Sequence, residues 1–551
     1  MISSRRKSVG LVAVLLAFTL TAAACGGDSK SDSPTNTTKA GVKDAAKPKP
    51  GGTMTLALES ENSGGWCLPS AQLAASGIQV ANAIYDPLVI LDANYEWKPY
   101  LAESVTPNTD ATEWTFKLRS GIKFSDGTPL NADIVKENID LTYGEPTIVA
   151  KTGISPLLFR FVYSNIASVD KVDDMTIIVK MKSAWSAFPY YLAGSRNGII
   201  GQAQIDAGKD GCAEKLVGTG PFKLESWTRN QQFVAVKNPN YWRKDADGVQ
   251  LPYLDKIIFK PIESSANRLS ALEGGTVDAL HTTNASNMDQ IKKESDKLTL
   301  IPEAEGRHEV GYGLLNVAQG PFADVAVRKA LAMALDRNAL NDVGNNGEFK
   351  IANQPFDTKV MGYVKDLAAP KYDPDAAAKI LKPMNLTVRL SYATDPSTKL
   401  IAEDVKRQLG DVGVTVNIDE KDQSTLINQA LGGDFDLLLW RNHPGVDPDT
   451  QLVWWHSGSL VNFGKINDPD LDKLLDEGRA ETDVAKRTEI YQNVSKLFAD
   501  KLYDAWNWYS EWAFGTNKKV HNLGYNTLPD GSPGTGLNWG WTYLNEVWVD
   551  H

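Results

Sequence analysis

Hydrophobic and polar residues alternate most regularly in a short stretch near residue 115. Residues 113–118 read EWTFKL, and such alternation is expected of a strand with one buried face. The turn dipeptide Ser120-Gly121 follows, and residues 122–124 then alternate again. We therefore predict two short strands that pair with each other across this turn.

A helix is predicted directly after this pair of strands. Pro129 ends the second strand because proline has no amide hydrogen to donate to a sheet. Asn131 is a good N-cap residue, and the acidic Asp133 suits the first turn of a helix. The pattern therefore predicts a helix that begins at residue 132 and ends near residue 141.

The second half of the chain shows a different pattern, in which apolar strands and helices alternate. The predicted elements are a strand over 386–390, a helix over 398–409, a strand over 414–418, a helix over 425–431 and a strand over 436–440. This order with short connections predicts a parallel sheet covered by helices. Ligands bind beyond the C-terminal strand ends of such sheets, so a binding site is expected after residue 440.

The first 24 residues are predicted to be a signal segment rather than part of the fold. Arg5, Arg6 and Lys7 precede an apolar run over 9–20, which is shorter than the ~20 residues that a membrane-spanning helix needs. Small residues and Cys25 follow, and this arrangement resembles the cleavage site of bacterial lipoproteins. In that interpretation Cys25 becomes the first residue of the mature chain and carries lipid. The alternative is an ordinary signal peptide followed by an incidental cysteine.

Residues 25–50 are predicted to form a flexible tether. Ser, Thr, Asp, Lys and Pro dominate this segment, which contains no aromatic residue. A segment of this composition cannot bury enough apolar surface to become ordered. Such a tether would hold a globular domain close to a lipid anchor on the outer face of the membrane.

Length and composition indicate a globular protein of at least two lobes. Removal of 24 residues from 551 leaves 527, which is too long for a single hydrophobic core. The net charge of −11 and the lack of a basic run exclude nucleic acid as an expected partner. The six histidines are scattered, and no nucleophile motif of a hydrolase occurs. We therefore predict no metal site, no cofactor and no enzymatic activity.

Two cysteines remain in the mature chain if Cys25 carries lipid. Cys67 and Cys212 then form a possible disulfide, because exported proteins commonly keep paired cysteines oxidised. Two free buried thiols are the alternative, since sequence alone contains no distance between the two residues.

One longer motif and three shorter ones match a known family. Residues 121–134, GIKFSDGTPLNADI, resemble the signature segment of the family 5 solute-binding proteins of ABC importers, which bind peptides, nickel or oligosaccharides. The segments YDPLV at 85–89, GTGPF at 218–222 and VRKAL at 327–331 are also similar to family patterns. The resemblance extends from about residue 51 to the C-terminus and so covers nearly the whole mature chain.

The resemblance implies an α/β fold of the periplasmic-binding-protein type. In such a fold two lobes joined by a hinge close on the ligand. The implied first lobe covers 51–313, with an extra subdomain over about 95–205, and the second lobe covers 314–503. Residues 504–551 would return to the first lobe.

The resemblance also implies a ligand site in the loop after residue 440. In peptide-binding members an aspartate of this loop pairs with the α-ammonium group of the peptide, and Asp447 or Asp449 matches it here. Asp447 could instead only cap the helix that begins near Asp449, and both interpretations stay open. The predicted ligand-binding residues are Asp447, Trp440, Arg441, Asn442, His443, Trp454, Trp455, Asn462, Phe463, Asn316 and, in the first lobe, Trp66.

An oligopeptide is the expected ligand, and Arg441 or His443 could bind its C-terminal carboxylate. An oligosaccharide resembling a cello-oligosaccharide is the first alternative, because the 15 tryptophans could stack on sugar rings. A nickel ion or metal chelate and a signalling peptide are further alternatives. The expected partners are an ABC permease and, through the lipid, the cell membrane. We expect a monomer held on the extracytoplasmic face.

Overall fold

The structure is a computed structural model that describes residues 41, 43–62, 64–156, 159–442 and 445–551. Its strands, numbered in chain order, are β1 (Thr53–Leu58), β2 (Val89–Leu91), β3 (Trp97–Pro99), β4 (Ala102–Pro107), β5 (Glu113–Leu118), β6 (Ile166–Asp173), β7 (Thr176–Met181), β8 (Phe222–Thr228), β9 (Gln232–Lys237), β10 (Lys256–Pro261), β11 (Ala279–Thr282), β12 (Leu298–Pro302), β13 (Glu309–Leu315), β14 (Lys350–Ile351), β15 (Thr387–Ala393), β16 (Thr415–Lys421), β17 (Leu437–Asn442), β18 (Asp504–Ser510), β19 (Ala513–Asn517), β20 (Val520–His521) and β21 (Trp548–Val549).

The helices are α1 (Ala75–Ile84), α2 (Ala132–Tyr143), α3 (Pro146–Thr152), α4 (Phe159–Val162), α5 (Phe188–Leu192), α6 (Gln202–Ile205), α7 (Gly208–Gly211), α8 (Ser265–Glu273), α9 (Ala285–Lys293), α10 (Val325–Ala334), α11 (Arg337–Asn345), α12 (Pro374–Leu381), α13 (Pro396–Asp411), α14 (Gln423–Gly432), α15 (Leu452–Trp455), α16 (Pro469–Ala480) and α17 (Val484–Lys501). Short 3-10 helices lie at Ser195–Asn197, Gly320–Ala323, Lys382–Met384 and Pro448–Gln451.

The first large sheet has the strand order β12-β19-β11-β1-β10-β9-β8 in the described part of the chain. Strand β1 lies at its centre and pairs in parallel with β10 and β11. Its consecutive residues Leu56 and Ala57 are both fully buried, so this strand is covered on both faces. The C-terminal end of β1 therefore leads out of a rigid core directly to Glu59.

The second large sheet has the order β14-β18-β13-β17-β15-β16 within the same described residues. Strand β15 pairs in parallel with β16 and β17, as the alternating strands and helices predicted. Strand β13, however, is antiparallel to β17 and to β18. The predicted parallel sheet is therefore confirmed for β15, β16 and β17, and the antiparallel strands β13 and β18 extend it on the side of β17.

A smaller sheet with the order β4-β5-β7-β6 lies within the predicted subdomain. Strand β5 pairs with β4 on one edge and with β7 on the other, so no edge is left for residues 122–124. The predicted pairing across Ser120-Gly121 is therefore wrong, and residue Lys123 forms only an isolated bridge to Pro129. Helix α2 is confirmed, since the Asn131 Oδ1 accepts the Ile134 amide at 3.0 Å.

The chain crosses between the two large sheets twice in the described residues. The first crossing leads from β12 to β13, and the second leads from β18 to β19. Because β18 still pairs with β13 over residues 504–510, the return to the first sheet begins only after Ser510. The predicted return over 504–551 therefore starts too early.

The structure joins Cys67 and Cys212 by a disulfide, with their Cα atoms 5.0 Å apart. Both residues are buried in the core that also contains Trp66. The bond ties the loop after β1 to the segment that follows α7, at a separation of 145 residues along the chain.

Candidate functional site

The two crossing segments are hydrogen-bonded to each other. The Glu303 amide donates to the Trp512 carbonyl oxygen at 2.9 Å, and the Trp512 amide donates to Glu303 Oε1 at 2.8 Å. The indole N–H of Trp512 also reaches Glu309 Oε2 at 2.9 Å. Glu303 and Glu309 flank the first crossing and Trp512 lies in the second, so both crossings form one connected unit.

Beside these crossings, Arg441 extends from the end of β17 to the first sheet. Its Nη2 lies 3.0 Å from Glu59 Oε1, and its Nη1 donates to Thr283 Oγ1 at 2.9 Å. The guanidinium also lies over the Trp512 ring, 4.9 Å from its centroid. The Arg441 side chain is nevertheless 41% exposed. Arg441, Glu59, Thr283, Glu309 and Trp512 are named the open contact.

The open contact contains one cation between two carboxylates. Arg441 Nε lies 3.8 Å from Glu309 Oε2, in addition to its pairing with Glu59. Burial tends to raise the pKa of Glu59, but the surrounding positive charges, Arg441 foremost, hold it below its ordinary value. Burial raises the pKa of Glu309, and Arg441 offsets only part of this rise. The two carboxylates therefore differ in how readily they lose a proton.

His281 fixes the position of Glu59 in the open contact through a hydrogen bond to its backbone. Its Nε2 accepts the Glu59 amide at 2.9 Å, so its Nδ1 carries the proton and donates to the Gly540 carbonyl oxygen at 2.7 Å. This pattern requires a neutral ring. Burial lowers the pKa of His281 to about 4, although the nearby Glu59 favours the charged form.

A second contact joins the segment after β7 to the loop after β17 and to helix α16. Trp185 donates its indole N–H to Asp449 Oδ2 at 2.7 Å, and Arg479 Nε donates to Asp449 Oδ1 at 2.9 Å. The Tyr191 hydroxyl donates to the Asp449 carbonyl oxygen and accepts from Arg479 Nη2 at 3.0 Å. The Asp449 side chain is fully buried and that of Arg479 is 9% exposed. Trp185, Tyr191, Asp449 and Arg479 are named the buried contact.

Asp447 is part of the support for this buried contact. Its two carboxylate oxygens accept from Arg487 Nη1 and Nη2, each at 2.7 Å, and its side chain is 4% exposed. Asp447 Oδ1 also accepts the Asp449 amide, so the interpretation of Asp447 as a cap is confirmed. Its pairing with a ligand ammonium group stays a prediction, and both of its oxygens are occupied in this conformation.

The predicted aromatic residues divide into a half-buried group and a packed group. Trp440 and Trp454 are half-buried and lie against the Phe463 ring, with centroid distances of 5.7 and 5.3 Å. Trp455 is buried and packs on Phe498 at 4.4 Å. Trp66 is 1% exposed and contacts the rings of Trp227 and Phe233 in the first-lobe core. Trp440 and Trp454 are therefore the aromatic side chains that the predicted loop leaves partly accessible.

The side chains of the predicted asparagines Asn316 and Asn462 form hydrogen bonds within the protein. Asn316 Nδ2 donates to the carbonyl oxygens of Gly433 and Phe435. Asn462 bonds to the Ile466 amide and carbonyl, which closes its own loop. Asn442 pairs with Val310 in the second sheet and is half-buried. His443 and Cys25 lie outside the described residues.

Sequence reasoning missed Glu59, Thr283 and Glu309, which the structure brings together with Arg441. Glu59 directly follows the central parallel strand β1, so the strand-end rule that pointed to Arg441 could also have found it. Thr283 likewise directly follows β11, which is parallel to β1, whereas no local pattern marks Glu309.

The described residues contain neither a membrane-spanning helix nor a cluster of metal ligands. Among these residues no helix has the length and apolar character to cross a membrane. Within the same ranges no three His, Cys, Asp or Glu side chains converge as the ligands of a metal ion would.

Comparison with known proteins gives a family and a set of relatives. The probable D,D-dipeptide-binding periplasmic protein DdpA of Escherichia coli K12 is 26% identical over 445 residues, which cover 78% of this chain and 82% of DdpA. The glutathione-binding protein GsiB of Escherichia coli K12 is 27% identical over 431 residues, covering 75% of this chain and 80% of GsiB.

The solved structure of AgaA from A. tumefaciens R10, in complex with agropinic acid, matches with a TM-score of 0.80 at 25% identity. The match covers 91% of this chain and 99% of AgaA, which confirms the periplasmic-binding-protein fold. The family model described as bacterial extracellular solute-binding proteins, family 5 Middle, matches residues 96–463. This chain therefore belongs to the family 5 bacterial extracellular solute-binding proteins.

Proposed function

We propose that this protein is the substrate-binding lipoprotein of an ABC importer, which captures an oligopeptide between its two lobes and delivers it to a membrane permease. Family membership supports the binding role, since the relatives are substrate-binding proteins rather than enzymes. DdpA is named for a D,D-dipeptide and GsiB for glutathione, which is itself a peptide. A peptide ligand is therefore the proposal closest to these relatives.

The charge arrangement of the open contact is the observation that carries this proposal. Arg441 is 41% exposed and lies between Glu59 and Glu309, so both signs of charge are accessible at one place. A short peptide also carries one ammonium group and one carboxylate. The peptide carboxylate would replace Glu59 on Arg441, and the ammonium group would bind the carboxylate that is released. Every charge then keeps a partner, which a desolvated site requires.

A neutral oligosaccharide carries no charged group that could replace Glu59 or Arg441 as a partner in the ion pair. It could stack on the half-buried Trp440 and Trp454, but it would have to displace water from Arg441 and Glu59 without offering a charge to either. The paired charges therefore favour the peptide.

Native mass spectrometry of the purified protein tests the class of ligand. We expect bound small molecules that fragment as peptides, and we expect them to disappear after denaturation and refolding. Thermal shifts with a peptide pool and a cello-oligosaccharide pool provide the second measurement, because a ligand at 100 times its dissociation constant adds about 2.7 kcal/mol. A shift with the sugars and none with the peptides would refute the proposal.

Variants locate the charged groups that hold the peptide. Arg441→Gln and Glu59→Gln should each reduce peptide retention, whereas Arg389→Gln is the matched control, because its pair with Asp434 lies on the exposed surface. Asp447→Ala tests the remaining prediction for that residue. Loss of peptide binding in a folded Asp447→Ala protein, with Arg441→Gln unaffected, would move the site to Asp447.

The lipid anchor and the oligomeric state require separate measurements. Intact mass of the mature protein should show a lipid on Cys25, and Cys25→Ser should release the protein from the membrane fraction. Light scattering should show a monomer with and without peptide. Co-purification with a membrane permease would support the importer role, and binding without any associated permease would instead favour a sensor of signalling peptides.

A further inference from the structure

The stretch that precedes β1 is bound to the end of the chain by polar and charged groups. Residues 43–50 are named the strap. The Asp44 amide donates to Asn522 Oδ1 at 2.8 Å, and Lys49 Nζ lies 2.5 Å from Asp550 Oδ1. Asn522 is itself only 6% exposed. The strap is therefore held near both of its ends by residues that lie 478 and 501 positions further along the chain.

His521 lies at the centre of these contacts. Its Nδ1 lies 2.7 Å from Asp44 Oδ2, and its Nε2 lies 3.1 Å from Asp550 Oδ2. A carboxylate can only accept hydrogen bonds, so both ring nitrogens carry a proton and the ring is an imidazolium. The charged groups that face this ring are thus Asp44 from the strap and Asp550 from the chain end. Lys49 binds the other oxygen of Asp550.

Trp548 provides a platform for these positive charges. Strand β20 pairs with β21, and this pairing places His521 directly opposite Trp548. The two rings are stacked, with their centroids 3.8 Å apart and an angle of 8° between their planes. Lys49 Nζ also lies 5.8 Å from the centroid of the Trp548 ring. Because the face of an indole ring attracts cations, this surface favours a charged His521 beside the strap.

Both carboxylates remain charged in mildly acidic solution. Burial tends to raise the pKa of Asp44, but the Ala46 amide and His521 outweigh this effect and hold the pKa below its ordinary value. Hydrogen bonds from Lys49 and His521 lower the pKa of Asp550. Near pH 5, where histidine rings are ordinarily charged as well, the set of contacts is complete. Loss of one ring proton at higher pH leaves a nitrogen lone pair facing a carboxylate, so one contact is lost.

We propose that the strap is a pH-sensitive switch, which the charged His521 holds on the fold and the neutral ring releases. Cys25 lies 19 residues before Asp44 and 26 residues before Gly51, the first residue after the strap. At no more than about 3.6 Å per residue, release lengthens the maximum reach from Cys25 to the fold from about 70 Å to about 95 Å. This consequence rests on the proposed lipid on Cys25, whereas the switch itself does not.

Electron paramagnetic resonance of a nitroxide on the strap tests the switch. In a Cys25→Ser protein the other two cysteines, Cys67 and Cys212, are bonded to each other, so Lys43→Cys at an exposed position provides a single site for the label. We expect an immobilised label at pH 5. At pH 9 the ratio of immobile to mobile label should be at least about threefold lower. This protein carries no lipid, so the result is independent of the anchor, which the membrane-fraction experiment tests by itself.

Substitutions identify the group that operates the switch. Asp44→Asn, in the strap itself, and His521→Gln should each give at pH 5 the mobile label that the parent shows at pH 9. His521→Arg keeps a positive charge at every pH and should keep the label immobile at pH 9. His456→Gln is the matched control, because this histidine faces Asp472 and Asp476 on α16, and it should leave the response to pH unchanged. A mobile label at pH 5 in the parent, no change between pH 5 and pH 9, or a change that persists in His521→Gln would overturn the proposal.

Discussion

The open contact and the buried contact both join the two sides of the molecule through an arginine and a carboxylate, but they differ in burial. Arg441 and Glu59 are 41% and 21% exposed, whereas Arg479 and Asp449 are 9% and 0% exposed. Water can replace either partner in the first pair. In the second pair neither charge can lose its partner without remaining in a dry environment. The same ion-pair chemistry is therefore open to exchange with water in one place and fixed in the other, and we propose that only the first exchanges with a ligand.

Removal of Arg479 should produce the largest effect, because it leaves the fully buried Asp449 without its counter-ion. We expect Arg479→Met to lower the free energy of unfolding by about 3–5 kcal/mol, and the matched variant Arg441→Met to lower it by less than about 1 kcal/mol. Denaturant unfolding of both variants measures the difference. The double variant Arg479→Met with Asp449→Asn should recover part of the loss. Equal losses in the two single variants would remove the distinction between the contacts.

Acid should act on the open contact through His281. Burial lowers the pKa of His281 to about 4, below its ordinary value near 6.5, so the folded protein holds this ring neutral. The stabilisation is complete above pH ~6.5 and is lost as the pH falls from there toward 4, to a total of about 3 kcal/mol. Unfolding free energies between pH 7 and 4 should therefore fall less steeply in His281→Gln than in the parent protein. Parallel curves would show that another group causes the acid dependence.

A single hydrogen bond of the buried contact should be worth less than its ion pair. Trp185→Phe removes the indole N–H from Asp449 Oδ2 but leaves Arg479 in place. We expect a loss of about 2 kcal/mol in the free energy of unfolding, since the acceptor is charged and buried. Trp97→Phe, a half-buried tryptophan of the same subdomain, controls for the change of ring. A loss no greater than that of the control would show that Arg479 alone satisfies the carboxylate.

Local patterns predicted the fold where the decisive interactions are local. The N-cap Asn131 and the alternation in residues 113–118 act within a few residues, and both elements appear as predicted. The predicted strand over 122–124 failed because pairing is decided between distant segments, and β4 and β7 occupy both edges of β5. The parallel pairing of β15 with β16 and β17 appears as predicted, whereas the antiparallel β13 enters from the other sheet and no local pattern indicates its pairing with β17.

The site was predictable only in part for the same physical reason. The strand-end rule located Arg441, but its partner Glu59 is 382 residues away along the chain. Asp447 and Asp449 lie in the same loop as Arg441, and nothing in that loop reveals that Arg487, 40 residues beyond Asp447, neutralises its carboxylate. Sequence therefore places the charged residues of a loop near a site, whereas their burial and partners decide which of them can exchange a ligand.

Substitution at the open contact should alter ligand affinity while leaving stability nearly intact. If Arg441 binds the peptide carboxylate, Arg441→Gln should weaken the binding of a free peptide about tenfold or more, which is about 1.4 kcal/mol. Amidation of the peptide C-terminus should weaken binding to the parent protein by a similar factor and have little further effect on Arg441→Gln, because both changes remove the same interaction. Calorimetric titration of the four combinations measures this coupling. Additive losses would show that Arg441 does not contact the carboxylate, and the open contact would then be a structural bridge like the buried one.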